Sequence, residues 1–346
     1  MQRRRRIRTG RDTSTSCTAR VAAWLGRLAL VVGGAMPAAA QVACGDVVGP
    51  NEEVVLTGDL VCDGVGEAIQ VVGPAVLDLN GFTVRCEEQN GDGRIPFVGI
   101  RIDGAGATVR NGGIAGCGAG IEVTGNGRHA ISLIVLRSNT EVGMLVRSDG
   151  NRIVDIGAFF NGGTGYNVLG SKNLLLGNAA TGNGQVGFRV GGGNTLRRNI
   201  ATNHEAQGFL VGGERVQVLE NRAIQNDTGF TLLGGRHRLV ENEAENNGTG
   251  FDLDGITQRN RLVRNVASRN DFNGVIVFGN SNKLVETIAE HNGQVGILLF
   301  ETERNVVTRS ETRGNGVFDL STSGSGCGTN RWRRNEFESA NLECID

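Results

Sequence analysis

One short phrase recurs down the middle of the chain: a glycine, then apolar, variable and apolar residues. It is plainest at Gly187-Phe188-Arg189-Val190, Gly208-Phe209-Leu210-Val211, Gly229-Phe230-Thr231-Leu232 and Gly250-Phe251-Asp252-Leu253. It extends back through Gly165-Tyr166, Gly143-Met144, Gly120-Ile121 and Gly99-Ile100, and forward to Gly274-Val275 and Gly296-Ile297, which makes ten copies. Successive glycines are 21, 23, 22, 22, 21, 21, 21, 24 and 22 residues apart. A period of this size belongs to a solenoid, whose units cannot bury their own apolar face and must stack on copies of themselves. Apolar residues two apart, broken every few residues by glycine or asparagine, predict short strands and tight turns rather than helices. No Leu-x-x-Leu-x-Leu frame runs through the repeats, so leucine-rich repeats are set aside in favour of stacked β-coils.

A second column keeps phase with the first and starts at Asn151, Asn173, Asn194, Asn260, Asn282, Asn305 and Asn330. Two residues later stand Ile153, Leu175, Leu196, Leu262, Leu284, Val307 and Trp332. His237 with Leu239 keeps the frame, and Arg215 with Gln217 reads as a break in it. Five residues after the column's start, asparagine returns at Asn178, Asn199, Asn242, Asn265 and Asn335. Asparagine tolerates the left-handed backbone of a tight turn, and its amide can bond the same residue one coil away, so these columns predict structural ladders.

These repeats resemble those of the right-handed parallel β-helix superfamily, the fold of pectin and pectate lyases, polygalacturonases, alginate epimerases and the periplasmic NosD-type proteins. The segment Val76-Leu77-Asp78-Leu79-Asn80-Gly81-Phe82-Thr83-Val84 is similar to the Leu-Asp-Leu-Asn-Gly phrase common in that group. The resemblance covers roughly residues 54 to 340. It implies an all-β chain forming a single right-handed parallel β-helix of about 11 to 12 coils, and chemistry on polysaccharide. The catalytic signatures of that group do not carry over. There is no Asn-x-Asp followed by Asp-Asp, Gly-His-Gly and Arg-x-Lys as in polygalacturonases, and no Asp-Pro-His as in alginate epimerases. The lyase arrangement, calcium-binding acids opposed by a cation, has its nearest match in Asp252, Asp254 and Arg189. Those lie three coils apart, about 14 Å by the strand spacing, which is far for one reaction centre.

Residues 1–40 read as a secretory signal, with Arg3 to Arg6 as a basic start, Val21 to Ala35 as an apolar stretch and Ala38-Ala39-Ala40 as a cleavage site. That stretch is short for a membrane span. An N-terminal cap is expected over 41–66, repeats over 67–315 and a C-terminal cap over 316–346. Removing the signal takes away eight arginines and one aspartate, so 35 basic and 36 acidic residues become 27 and 35, a net charge of −8. That balance is no footprint for nucleic acid. Six cysteines then remain, an even number in a chain expected to be secreted or periplasmic. Six allow fifteen pairings. Because a solenoid stacks nearby segments, Cys44 is expected to pair with Cys62, Cys86 with Cys117 and Cys327 with Cys344, the first and last clamping the exposed ends. No Cys-x-x-Cys exists and the four histidines are scattered, so no metal site is expected, and the rod is expected to be monomeric.

Strand alternation decides which residues face out. The first and third after each glycine point inward, which predicts an internal stack of Tyr166, Phe188, Phe209, Phe230 and Phe251. The second and fourth point outward, and two spots stand out among them. Asp252 and Asp254 lie on one face of one strand, about 7 Å apart. That pair could act as general acid and base, or bind calcium, and next to it fall Ile276, Phe278, Leu298 and Phe300. The other spot is Arg101, Asp103, Glu122 and Arg147, beside an insertion from Cys86 to Pro96 that holds Glu87, Glu88 and Asp92. Arg101, Asp103, Glu122, Phe278 and Phe300 are the candidate substrate contacts. No cofactor is expected apart from possible calcium. Two functions follow: an exported carbohydrate-binding or structural protein without a recognisable catalytic signature, or a divergent polysaccharide lyase or glycoside hydrolase working through Asp252 and Asp254.

Overall fold

The structure is a computed structural model that describes residues 42–64, 66–87, 97–323 and 326–346. The expected signal, and residues 88–96 of the insertion with Glu88 and Asp92, lie outside the described residues. The chain is all β and forms a parallel solenoid. The glycine phrases line up as one sheet of thirteen parallel strands from Asp46–Val48 to Phe318–Thr322, the long sheet. The asparagine columns begin the strands of two further parallel sheets, represented by Leu174–Leu176 and Ala179–Thr181, and each strand pairs with its equivalent one coil on. Two strands, Thr108–Ala115 and Ala130–Arg137, run through both of these sheets.

Thirteen coils exceed the 11 to 12 expected, because the outermost ones lack the phrase. Asp46 stands level with Ile69 where an apolar residue belongs, and Asp319 takes the place of the glycine in the last strand. The glycine is required by crowding and not by its backbone angle. A Cβ on Gly229 would lie 2.6 Å from the carbonyl oxygen of Gly250, and one on Gly274 2.6 Å from that of Gly296. Asp319 is followed only by the chain end around Ser339 rather than by a full coil, so a side chain fits there.

Inside, Phe188, Phe209, Phe230 and Phe251 are direct cross-strand partners. With Tyr166 they form a parallel stack with ring centroids 4.6 to 4.9 Å apart and planes within 7° of one another. The spacing of the rings is the spacing of the coils. Each is fully buried, contributing about 2 to 3 kcal/mol by area. Trp332 stands in register with Val307 and is buried at the C-terminal end.

The asparagines point inward and are buried. In the second column Asn178, Asn199, Asn221, Asn242 and Asn265 pass amide to carbonyl at 2.9, 2.9, 3.0 and 2.9 Å. The left-handed residues are not these asparagines but their charged predecessors, Arg198, Glu220, Glu241 and Arg264, with φ between 52° and 58°. These side chains leave the turn into solvent and pair across coils, Arg198 with Glu220 at 2.7 Å and Arg264 with Glu241 at 2.6 Å. The apparent break at Arg215 and Gln217 is a shift of one residue: Val216 follows Asn194 in the ladder and Val218 lies opposite Leu196, both buried. A third ladder was not anticipated. It runs through Asn139, Asn161, Asn183, His204, Asn226, Asn247, Asn270, Asn292 and Asn315. It ends on Asp319, whose carboxylate accepts from the Asn315 amide at 2.7 Å.

All three expected disulfides are formed, Cys44–Cys62, Cys86–Cys117 and Cys327–Cys344. Among the described residues no helix is long and apolar enough to cross a membrane.

Candidate functional site

The outer face of the long sheet is one file of side chains, and its chemistry changes along the axis. Arg101 faces Glu122, Leu145 faces Asn167 and Arg189 faces Leu210; then Thr231, Asp252, Ile276 and Leu298 follow coil by coil. The N-terminal end is charged and the C-terminal end apolar.

At the charged end Arg101 approaches Glu67 at 3.4 Å and Glu122 at 3.3 Å, and Arg147 reaches Glu122 at 2.9 Å. These ion pairs offset the charges on one another, although Arg101 Nε is shielded from solvent and makes no hydrogen bond. Asp103, half-buried at the end of the same strand, is the nearby charge felt by His129.

The other end is unsatisfied. Asp252 sits in the strand Thr249–Leu253, half-buried, with Oδ1 shielded from solvent and without a hydrogen-bond partner. Burial, then the charge of Asp254, raise its pKa from 3.8 to about 6. Asp254 follows the strand and accepts the backbone N–H of Ile256 at 3.2 Å, so it is held by its own turn. On the next two coils Phe278 and Phe300 meet edge to face with centroids 5.5 Å apart. They remain 37% and 39% exposed, so the C-terminal segment does not cover them. Ile276 and Leu298 continue the apolar surface beside them. Arg189 is exposed three coils back and forms no ion pair among the described residues. The structure thus joins Asp252, Asp254, Phe278 and Phe300 in one patch and leaves Arg101, Asp103 and Glu122 in another at the far end.

Among the described residues no group of three or more His, Cys, Asp or Glu side chains is placed to hold a metal ion. Counting outward positions only from the glycine overlooked the second sheet, where Arg238, Arg261 and Lys283 stand opposite one another. The signal was in the sequence: each is the residue after the ladder position.

Residues 98–247 match the family described as right handed beta helix region. No curated protein sequence matches the chain. Among solved structures, the A-module of the Azotobacter vinelandii mannuronan C-5 epimerase AlgE4 is similar over 84% of this chain and 88% of its own, with 12% identity and a TM-score of 0.56. A double mutant of the periplasmic alginate epimerase AlgG is similar over 87% of this chain and 80% of its own, at 15% identity and a TM-score of 0.52. The Dettilon tailspike protein is similar over 81% of this chain and 60% of its own, at 14% identity and a TM-score of 0.50. At these identities the likeness is one of fold.

Proposed function

We propose that this right-handed parallel β-helix is an exported protein that binds polysaccharide along the outer face of its long sheet, on the successive coils that carry Asp252, Phe278 and Phe300. The reading is carried by an unpartnered carboxylate oxygen beside two exposed rings on the following coils. A pyranose ring offers hydroxyl donors at its rim and an apolar C–H face, and this patch supplies a carboxylate to accept the first and phenylalanine faces to cover the second. Similar folds named for alginate and mannuronan support polysaccharide as the ligand class. The three disulfides support a secreted or periplasmic location.

A second reading, a polysaccharide lyase or glycoside hydrolase, is favoured by one observation. A carboxyl that keeps its proton up to about pH 6 beside a second carboxylate has the makings of an acid and base pair. Two carboxylates fall short of the about six to eight oxygens calcium takes, so calcium here would need oxygens from the sugar or water.

Binding of the protein from Gln41 onward to a panel of neutral and acidic polysaccharides, with and without calcium, tests the site. The double variant Phe278→Ala/Phe300→Ala should weaken binding about tenfold or more, with an unchanged melting temperature. Equal binding by the variant rejects this patch.

A further inference from the structure

The outer face of the second sheet carries charge that the fold leaves unbalanced. Arg238, Arg261 and Lys283 are direct cross-strand partners on three successive coils, and all three are exposed. Like charges directly opposite each other on one sheet face repel. The columns beside this file balance their charges instead. On the adjoining turn Arg264 meets Glu241 at 2.6 Å and Arg309 meets Glu286 at 3.0 Å; on the third sheet Arg222 meets Glu243 at 2.7 Å. Among the described residues no carboxylate pairs with Arg238, Arg261 or Lys283. Arg215 and Arg259, exposed on the turn that leads into the same sheet, are also unpaired, and Glu214 there is taken by Arg236 at 3.0 Å. A chain that carries net negative charge from Gln41 onward has gathered cations on one strip and withheld the glutamates it uses beside it.

We infer that this strip is a second binding surface, for a linear acidic polysaccharide lying along the solenoid axis. The cations stand in single file one coil apart, about 4.8 Å. A pyranose ring is of similar length, so a chain bearing a carboxylate or sulfate on successive sugars presents its charges at the same interval. A single-stranded nucleic acid would call for aromatic platforms as well as cations, and no aromatic side chain is exposed on this strip. Attachment to an anionic bilayer would call for apolar anchors among the cations, and none stands in the file from Arg238 to Lys283, with polar Gln217 before it and a half-buried Val306 after it. The surface uses a different sheet from the Asp252 patch and stands or falls without it.

The test uses the protein from Gln41 onward and the triple variant Arg238→Thr/Arg261→Thr/Lys283→Thr. Threonine suits an exposed strand and removes the repulsion, so the variant should melt at the same temperature or higher. The probes are polygalacturonate for carboxylate and heparin for sulfate, with a single-stranded DNA oligomer and phosphatidylglycerol vesicles as competitors. The parent should bind at least one polysaccharide, with log affinity falling as log salt rises. The variant should bind about tenfold or more weakly at low salt, with a slope shallower by about two to three. Arg137→Thr, which removes an exposed cation outside the strip, should leave this salt-dependent binding unchanged. Equal binding by parent and triple variant, no binding of either polysaccharide by the parent at low salt, or preference for DNA or vesicles over both would each overturn the inference. If the triple variant does not fold, Arg261→Gln alone should lower the slope by about one, and an unchanged slope would overturn it too.

Discussion

Asn183 donates its backbone N–H to Nδ1 of His204 at 3.2 Å, so in that coil an imidazole does the work of the amides above and below it. His129 and His237 do the same in the first ladder, accepting at Nδ1 from Ala107 at 3.1 Å and from Val216 at 3.2 Å. In each ring Nε2 lies against a backbone carbonyl, of Ala180, Thr124 or Leu233, at 3.2 to 3.3 Å. The neutral ring with its proton on Nε2 fits, because it accepts at one nitrogen and donates at the other, as asparagine does.

Protonation would fill the accepting nitrogen and place charge inside the solenoid. Burial lowers all three histidine pKa values below the usual 6.5, against weaker upward pulls from backbone carbonyls and from Asp103 on His129 and Glu214 on His237. The unfolded chain therefore binds more protons, and stability from these groups is complete above about pH 6.5 and lost as pH falls through the lowered values. Urea midpoints should drop between pH 7 and pH 5, and His204→Asn should reduce that drop. An identical pH dependence in the variant would contradict this.

Asp252 carries the opposite sign. Its pKa of about 6 in the fold lies above the ordinary 3.8, so the folded chain holds the proton more tightly and ionisation costs stability above pH 6. Solvent at the half-buried site trims that cost to about 1 to 2 kcal/mol. Asp252→Asn should stabilise the protein by that amount at pH 8 and by little at pH 4, read from denaturant midpoints at the two pH values.

Phe230 has a ring of the stack on each side, at 4.7 and 4.8 Å. Phe230→Ala would open a cavity that the coils cannot close without losing register, at a cost of about 3 to 5 kcal/mol; Phe230→Leu should cost less than half of that. Calorimetry of both variants checks the order.

Asp319 accepts four hydrogen bonds: the Asn315 amide and backbone N–H on Oδ1, and the N–H groups of Glu338 and Ser339 on Oδ2. An amide at this position would set a donor against donors. Asp319→Asn should cost about 1 to 3 kcal/mol and loosen the last residues first. Hydrogen exchange should show faster exchange at Ser339 than at Phe251.

What could be read without coordinates follows from the same contacts. Gly229 and Phe230 announce their coil because the next coil presses on one and stacks on the other, and that pressure repeats at a fixed interval. The cysteine pairing was legible because stacking brings sequence neighbours together. The third ladder was not, since His204 interrupts its run of asparagines and it begins ten residues after the marked column. The left-handed turn residues were misplaced because Arg198 and Glu220 are unusual there, and only their pairing across coils shows why they are tolerated. At the candidate site the carboxylates and phenylalanines could be named from alternation alone. That Arg101, Glu122 and Arg147 neutralise one another while Asp252 has no partner depended on side-chain geometry that no column of residues conveys.

One experiment sets the proposed polysaccharide binding at the Asp252, Phe278 and Phe300 patch against the lyase or hydrolase reading. The most direct measurement follows binding, new reducing ends and ultraviolet absorbance of unsaturated products together, for the protein from Gln41 onward on a panel of acidic and neutral polysaccharides with and without calcium. The account predicts binding to at least one polymer, weakened in Phe278→Ala/Phe300→Ala, with no reducing ends and no absorbance. Turnover that Asp252→Asn abolishes would contradict it in favour of an enzyme, and absence of binding to every polymer would remove the patch altogether.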